Sequence, residues 1–212
     1  MRGGDKSNHT IAETPRCEAH LVSAEKQAVS PGAANVVTKP PEHLAAYRAA
    51  EVLRDGRRVT IRALQPQDRE ALSESWARTG DESRYRRFFT SKHSFSEGEI
   101  AFFVEVNFTT HVALVAELEE AGRKVIAGGG RYVVCAPRSA EVAFMVDDAH
   151  QGLGIGSLLM RHLVACARSA RLETLVAEVL SGNSPMLKVF ERAGLALQTR
   201  RDSGVLHLDM RL

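Results

Sequence analysis

The chain has 212 residues, of which 44% are hydrophobic, 25% charged and 6% aromatic, a composition that excludes a wholly disordered, collagenous or repeat-built protein. Its 28 Lys and Arg against 26 Asp and Glu leave a formal charge of +2, too small to announce a nucleic-acid partner. The longest apolar runs, such as residues 112–116, fall far short of the roughly 20 residues that cross a bilayer, so no membrane partner is expected. Three widely spaced cysteines, Cys17, Cys135 and Cys166, supply neither a disulfide framework nor a zinc pattern. Without a signal or transit segment in view, the expected compartment is the cytoplasm.

Residues 1–41 mix Gly, Ser, Thr, Pro and isolated charges without period, and read as a disordered tail. Residues 42–56 form a lead-in, with a short helix expected over 42–53, and the domain is expected to run from 57 to 212. Val59, Ile61 and Ala63 alternate with polar residues as a strand, and Pro66 sits where a first helical turn tolerates it. Helices follow over 68–79 and 81–89. A third starts at Ser96, because Ser96 and Glu99 have capping-box spacing ahead of Ile100, Phe103 and Val104.

Residues 111–117 and 125–134 read as a hairpin turning through Gly122. Gly128, Gly129 and Gly130 inside its second strand point to a bulge, a bend or a close approach by another backbone. Residues 141–146 are the next strand, with Glu141, Ala143 and Met145 on one face and Val142, Phe144 and Val146 on the other. An amphipathic helix over 154–170, a buried strand over 174–180, a short helix over 183–193 and a closing hairpin complete one α/β domain of about 155 residues. The strand, loop, helix, strand order implies a parallel crossover, with its loop at the carboxyl end of the first strand.

That loop is Gln151-Gly152-Leu153-Gly154-Ile155-Gly156-Ser157. Glycines let a backbone approach an anion, amide hydrogens gather in one concavity, and a helix dipole lies behind them, so a pyrophosphate suits it. The glycine spacing fails the dinucleotide fingerprint, and Gly156-Ser157 lacks the lysine of a triphosphate loop. A glycine turn that merely starts a helix accounts for one glycine better than for three.

Gln151, Gly154 and Gly156 resemble the signature of the GNAT family of N-acetyltransferases: Gln or Arg, two residues, Gly, one residue, then Gly or Ala. The likeness runs from about Val59 to Leu212. Residues 83–89, 111–116 and 140–144 are similar to the acetyltransferase domain of bacterial protein lysine acetyltransferases. The resemblance implies a single α/β domain with a mixed, mostly antiparallel twisted sheet of about six to seven strands and about four helices. It further implies acetyl-CoA as co-substrate, no metal, and transfer to a primary amine. The acceptor is a protein with a reactive lysine or a small amine such as a polyamine, amino acid or drug; a non-catalytic acetyl-CoA sensor is the remaining alternative, and the oligomeric state stays open.

In that frame the 151–157 backbone holds the pyrophosphate. Main-chain groups of Phe144, Met145 and Val146 pair with the pantetheine arm and polarise the thioester carbonyl, and Asn183 contacts the cofactor near its reactive end. An ammonium cannot attack a thioester, so a base is needed. Glu141 matches the family's glutamate, with Glu178 the second candidate because it interrupts an apolar strand. Many relatives carry a tyrosine acid in the last helix where this chain has Phe190, so water is a sufficient proton donor and Ser184 a weak substitute.

Overall fold

The computed structural model describes residues 44–212; the expected tail lies outside the described residues. One sheet organises everything. Its strands are β1 (Arg48–Val52), β2 (Arg58–Ala63), β3 (His111–Glu120), β4 (Arg123–Ala136), β5 (Ser139–Val146), β6 (Thr174–Leu180), β7 (Ala196–Asp202) and β8 (Val205–Arg211). They lie in the order β1-β2-β3-β4-β5-β6-β8-β7, antiparallel except where β6 runs parallel to β5. Five α-helices flank it: α1 (Arg69–Ala77), α2 (Asp81–Phe88), α3 (Glu97–Val104), α4 (Ile155–Ser169) and α5 (Ser184–Glu191).

The sheet has eight strands where six to seven were expected, and five helices where about four were. The extra strand is β1, inside the segment read as a helix. Its sequence Arg-Ala-Ala-Glu-Val favours a helix locally, yet it pairs with β2 from Arg48 opposite Arg62 to Val52 opposite Arg58. Pairing to an existing edge outweighs a propensity worth only tenths of a kcal/mol per residue. Cys166 is free and buried.

Elsewhere local chemistry holds. Ser96 Oγ accepts the Glu99 amide at 3.3 Å while the Glu99 carboxylate accepts the Ser96 amide at 2.8 Å, so α3 starts at its capping box. Ala121 and Gly122 both take positive φ in the tight turn that joins β3 to β4. The glycine run sits at a register shift, where Ala116 faces Gly128 but Glu117 faces Ile126. It also permits a close approach: a Cβ on Gly130 would lie 2.6 Å from the Phe144 ring.

α4 and α5 pack on one face of the sheet. Leu159, Leu163 and Ala167 of α4 are fully buried against Val112, Leu114, Tyr132, Val142 and Leu175, and each such leucine contributes about 1.5–3 kcal/mol by leaving water. The opposite face carries α1, whose Ala71 and Leu72 pack on a smaller cluster of Leu64, Ala113, Val115 and Ile126, with α2 and α3 beside it. There Arg62 clamps Asp68 with two hydrogen bonds of 2.7 and 2.8 Å and reaches Glu117 at 2.8 Å, fixing the start of α1 to β2 and β3.

Candidate active site

β5 and β6 pair in parallel only from Ser139 opposite Thr174 to Glu141 opposite Val176. Beyond that point β5 runs on to Val146 and β6 to Leu180 unpaired with each other, so the sheet splits. The split opens a cleft of about 380 Å³ between β5, β6, α2, α5 and the start of α4. From Val142 onward β5 presents a strand edge to this cleft, and unpaired main-chain groups on such an edge take an extended ligand as an added strand.

The far end of the cleft is the glycine loop. Gly152 and Gly154 have φ of +78° and +96°, a backbone open to glycine and costly for other residues. Gly154 is the N-cap of α4 and has no capping side chain. The first intrahelical bond runs from the Leu158 amide to the Gly154 carbonyl, which leaves the amides of Ile155, Gly156 and Ser157 without helical partners. With the dipole of a 15-residue helix behind them, these amides make a cradle whose chemistry suits an anion.

Of the expected binding residues, Phe144, Met145, Val146, Gln151, Gly152, Gly154, Ile155, Gly156, Ser157 and Asn183 line the cleft; Leu153 does not, packing instead against the core. The Gln151 side chain serves the loop: its amide nitrogen donates to Ser83 Oγ at 3.0 Å, to the Val146 carbonyl at 3.2 Å and to Asp148 Oδ1 at 2.8 Å. Asp148 also accepts from the Gly80 amide and the Ser83 hydroxyl, which ties the loop to the start of α2. Asn183 caps α5, its Oδ1 accepting the Met186 amide at 3.3 Å.

Arg54 is a cleft residue that sequence reasoning missed. Its Nη1 donates to the Gly152 carbonyl at 3.2 Å, its amide to the Leu153 carbonyl at 3.2 Å, and its side chain lies 3.5 Å from where a Gly154 Cβ would be. It adds a cation to the cradle. The available signal was a lone arginine between a misread helix and a strand, which distinguishes nothing.

Glu141 stands at the last paired position of β5, where the strands part, and is only 4% exposed. It faces the α2 side, and its charge acts on the Arg87 guanidinium. Burial pulls Arg87 down to about 10, with Glu141 opposing that pull. Glu178 lies on the same face of β6, two residues beyond the partner of Glu141. Its carboxylate lies 3.1 Å from Nδ1 of His207, the residue directly opposite on β8, so it is engaged in a cross-strand contact. Phe190 is 2% exposed and packs on Phe144 with ring centroids 5.9 Å apart.

The three arginines of α2 have different surroundings. Arg84 stacks 4.5 Å over Trp76, Arg86 pairs with Glu82, and Arg87 lines the cleft. His111 is buried beside Arg131, which together hold it neutral with a pKa near 3. His150, which also lines the cleft, bridges the carboxylates of Asp147 and Glu120. Among the described residues no cluster of three or more His, Cys, Asp and Glu could hold a metal ion.

Comparison with known proteins agrees with this geometry. Residues 58–196 match the family model described as the acetyltransferase (GNAT) domain. Acetyltransferase PA5475 of Pseudomonas aeruginosa is 34% identical over 119 residues, covering 56% of this chain and 64% of its own length. Acetyltransferase Pat of Mycolicibacterium smegmatis is 31% identical over 156 residues, covering 73% of this chain and 46% of its own. The crystal structure of the GNAT domain of S. lividans PAT superposes with a TM-score of 0.71 at 34% identity, covering 79% of this chain and 98% of that domain. The chain thus spans about half to two-thirds of the curated relatives' lengths.

Proposed function

Because the chain belongs to the acetyltransferase (GNAT) family, we propose that it transfers an acetyl group from acetyl-CoA directly to a primary amine, the acceptor being a lysine side chain of a protein. The observation that carries the reaction class is the split between β5 and β6 with the glycine cradle at its end. The lysine acceptor is supported by the likeness to Pat and to the GNAT domain of PAT.

The residues fit the group. Acetyl-CoA, when bound, supplies the acyl carbon as a thioester. The amides of Ile155, Gly156 and Ser157, with Arg54 beside them, suit a diphosphate. The edge of β5 from Val142 to Val146 suits an amide-bearing arm, and one of its N–H groups suits a developing oxyanion. Glu141, at the apex of the split, takes the proton from the ammonium directly or through water. The leaving thiolate has a pKa of roughly 8.5, so water serves to protonate it. Phe190 offers no acid, and its burial against Phe144 gives it a packing role.

Purified protein incubated with acetyl-CoA and a cell lysate, followed by mass-spectrometric mapping of acetyl-lysine, tests this reading. New acetyl-lysine with matching release of free thiol is the expected result. Turnover with a polyamine, amino acid or drug but no lysine signal overturns the protein acceptor. Tight cofactor binding without turnover on any amine overturns catalysis and leaves the sensor.

A further inference from the structure

A second cavity, of about 260 Å³, lies between the sheet and α1, α2 and α3. Arg87, Ala143, Phe144 and Met145 belong to the walls of both cavities, which sets the second one beside the end of the cleft marked by Glu141. Trp76, Phe95 and Phe103 form much of its apolar wall, packed with ring centroids 4.3 and 5.0 Å apart. An apolar cavity of this size suits a short carbon chain.

Its charges are one-sided. Among the described residues Arg69, Arg87 and Arg131 line it, and no aspartate or glutamate does. Arg69 is paired at 2.6 Å with Glu97 near the surface, and Arg87 has the charge of Glu141 beside it. Arg131 has no carboxylate partner among the described residues. It donates to the Phe103 carbonyl at 3.3 Å and is 3.0 Å from His111 Nε2, which accepts because His111 is neutral. Its guanidinium lies 4.4 Å over the Phe103 ring, and three of its five N–H donors remain. Burial, with repulsion from Arg87, pulls it down to about 9.

The floor is open on the same side. Gly129 lies in β4 two residues from Arg131 and therefore on the same face. A Cβ there would meet only the Leu114 carbonyl at 3.4 Å and Val115 Cγ1 at 3.8 Å, so a larger side chain fits the backbone but fills the cavity. This explains one of the three strand glycines that neither the bulge nor the Phe144 ring requires.

We propose that this cavity is an acyl pocket that admits a short acyl chain ending in a carboxylate, held by Arg131 with help from Arg87. Dicarboxylic acyl thioesters are then donors alongside acetyl-CoA. The chemistry is the same redox-neutral transfer. The amine nitrogen forms a bond to the thioester carbonyl carbon, the carbon–sulfur bond breaks, the proton leaving nitrogen balances the thiolate, and the terminal carboxylate is unchanged. The inference rests on the reading of the first cavity as the acyl-CoA cleft.

Titration calorimetry of the full chain with CoA, butyryl-CoA and succinyl-CoA tests it, the two acyl chains having equal carbon number. Succinyl-CoA is expected to bind on the order of tenfold more tightly than butyryl-CoA, as charge-assisted hydrogen bonds to a guanidinium predict. Arg131→Met is expected to abolish that difference, with CoA heat in the variant reporting an intact cleft. Should Arg131→Met fail to fold, Gly129→Val reads the same pocket by narrowing it, weakening succinyl-CoA more than acetyl-CoA. Equal affinities for succinyl-CoA and butyryl-CoA in the native protein overturn the proposal, as does a preference for acceptors bearing a carboxylate without any donor preference. Absence of heat with CoA itself overturns the cleft reading instead, so the two failures are distinguishable.

Discussion

Replacing Gly154 by aspartate perturbs the cradle in two separable ways. The first is backbone strain: at φ +96° an L-residue costs about 1–2 kcal/mol, which for a domain of this size lowers Tm by about 2–8 °C. Steric clash adds little, because the new Cβ would lie 3.5 Å from the Arg54 side chain, an ordinary contact. The second is charge. A carboxylate about 4 Å from a phosphate oxygen repels it by about 4 kcal/mol at an effective dielectric of 20. Reduced to half or a third by solvent at this partly exposed loop, the repulsion still weakens affinity about tenfold or more. The same carboxylate would draw Arg54 into an ion pair and away from the ligand. Gly154→Ala carries the strain without the charge and is the control. Calorimetry with CoA, at low and high salt and alongside thermal melts, is expected to show a small loss for the alanine variant and a large, salt-sensitive loss for the aspartate variant. A folded Gly154→Asp protein that binds CoA like the native chain refutes the cradle.

Glu141→Gln is expected to lower turnover by about 10²–10⁴-fold near neutral pH. The loss shrinks at high pH, where free amine is abundant, and CoA affinity is largely spared; Glu178→Gln is expected to retain most turnover, because its carboxylate serves the His207 pair. A pH–rate profile of both variants decides, and normal turnover for Glu141→Gln removes it as base. His111 gives a stability signature: its folded pKa near 3 lies below the unfolded value of about 6.5, so the unfolded chain binds a proton that the native state refuses. Stability is therefore lost as pH falls below about 6.5, by about 2 kcal/mol at pH 5, and urea midpoints at pH 7.5 and pH 5 should show His111→Gln escaping that loss. An unchanged pH dependence in the variant assigns it to other groups. Gly130→Ala should cost about 1–3 kcal/mol in denaturant unfolding and also weaken CoA binding, because the added Cβ displaces the Phe144 ring; an unaltered midpoint contradicts the close approach.

Periodicity, capping and turn chemistry made most of the domain from α3 onward legible. Leu159, Leu163 and Ala167 announce α4, Ser96 with Glu99 announces α3, and the glycine run announces the positive-φ turn at which α4 starts. β1 was not legible because its residues favour a helix in isolation and become a strand only by docking on β2. Arg54 was lost with it. The roles of Glu178 and Gln151 depended on contacts that no spacing encodes, a histidine 29 positions later in one case and a serine 68 positions earlier in the other. Arg131 was illegible for the same reason: a single arginine in a strand acquires meaning only when three helices close over it.

The split in the sheet raises the question of what holds β5 in place on the side where it has lost its neighbour. β4 fixes one edge through pairs from Gly128 opposite Val146 to Val133 opposite Glu141. On the cleft side a hydrogen-bonded strand is replaced by packed rings. Gly130 withholds a side chain, Phe144 uses that space, and Phe190 of α5 meets it from across the cleft. The aromatic pair therefore sets the separation of β5 from α5 while leaving the strand's main-chain groups available, which a ladder of hydrogen bonds could not do. On this account the phenylalanine at position 190 is selected for an apolar, partnerless ring, since a hydroxyl buried there would need a hydrogen-bond partner. The missing acid and the open cleft are then consequences of one packing solution.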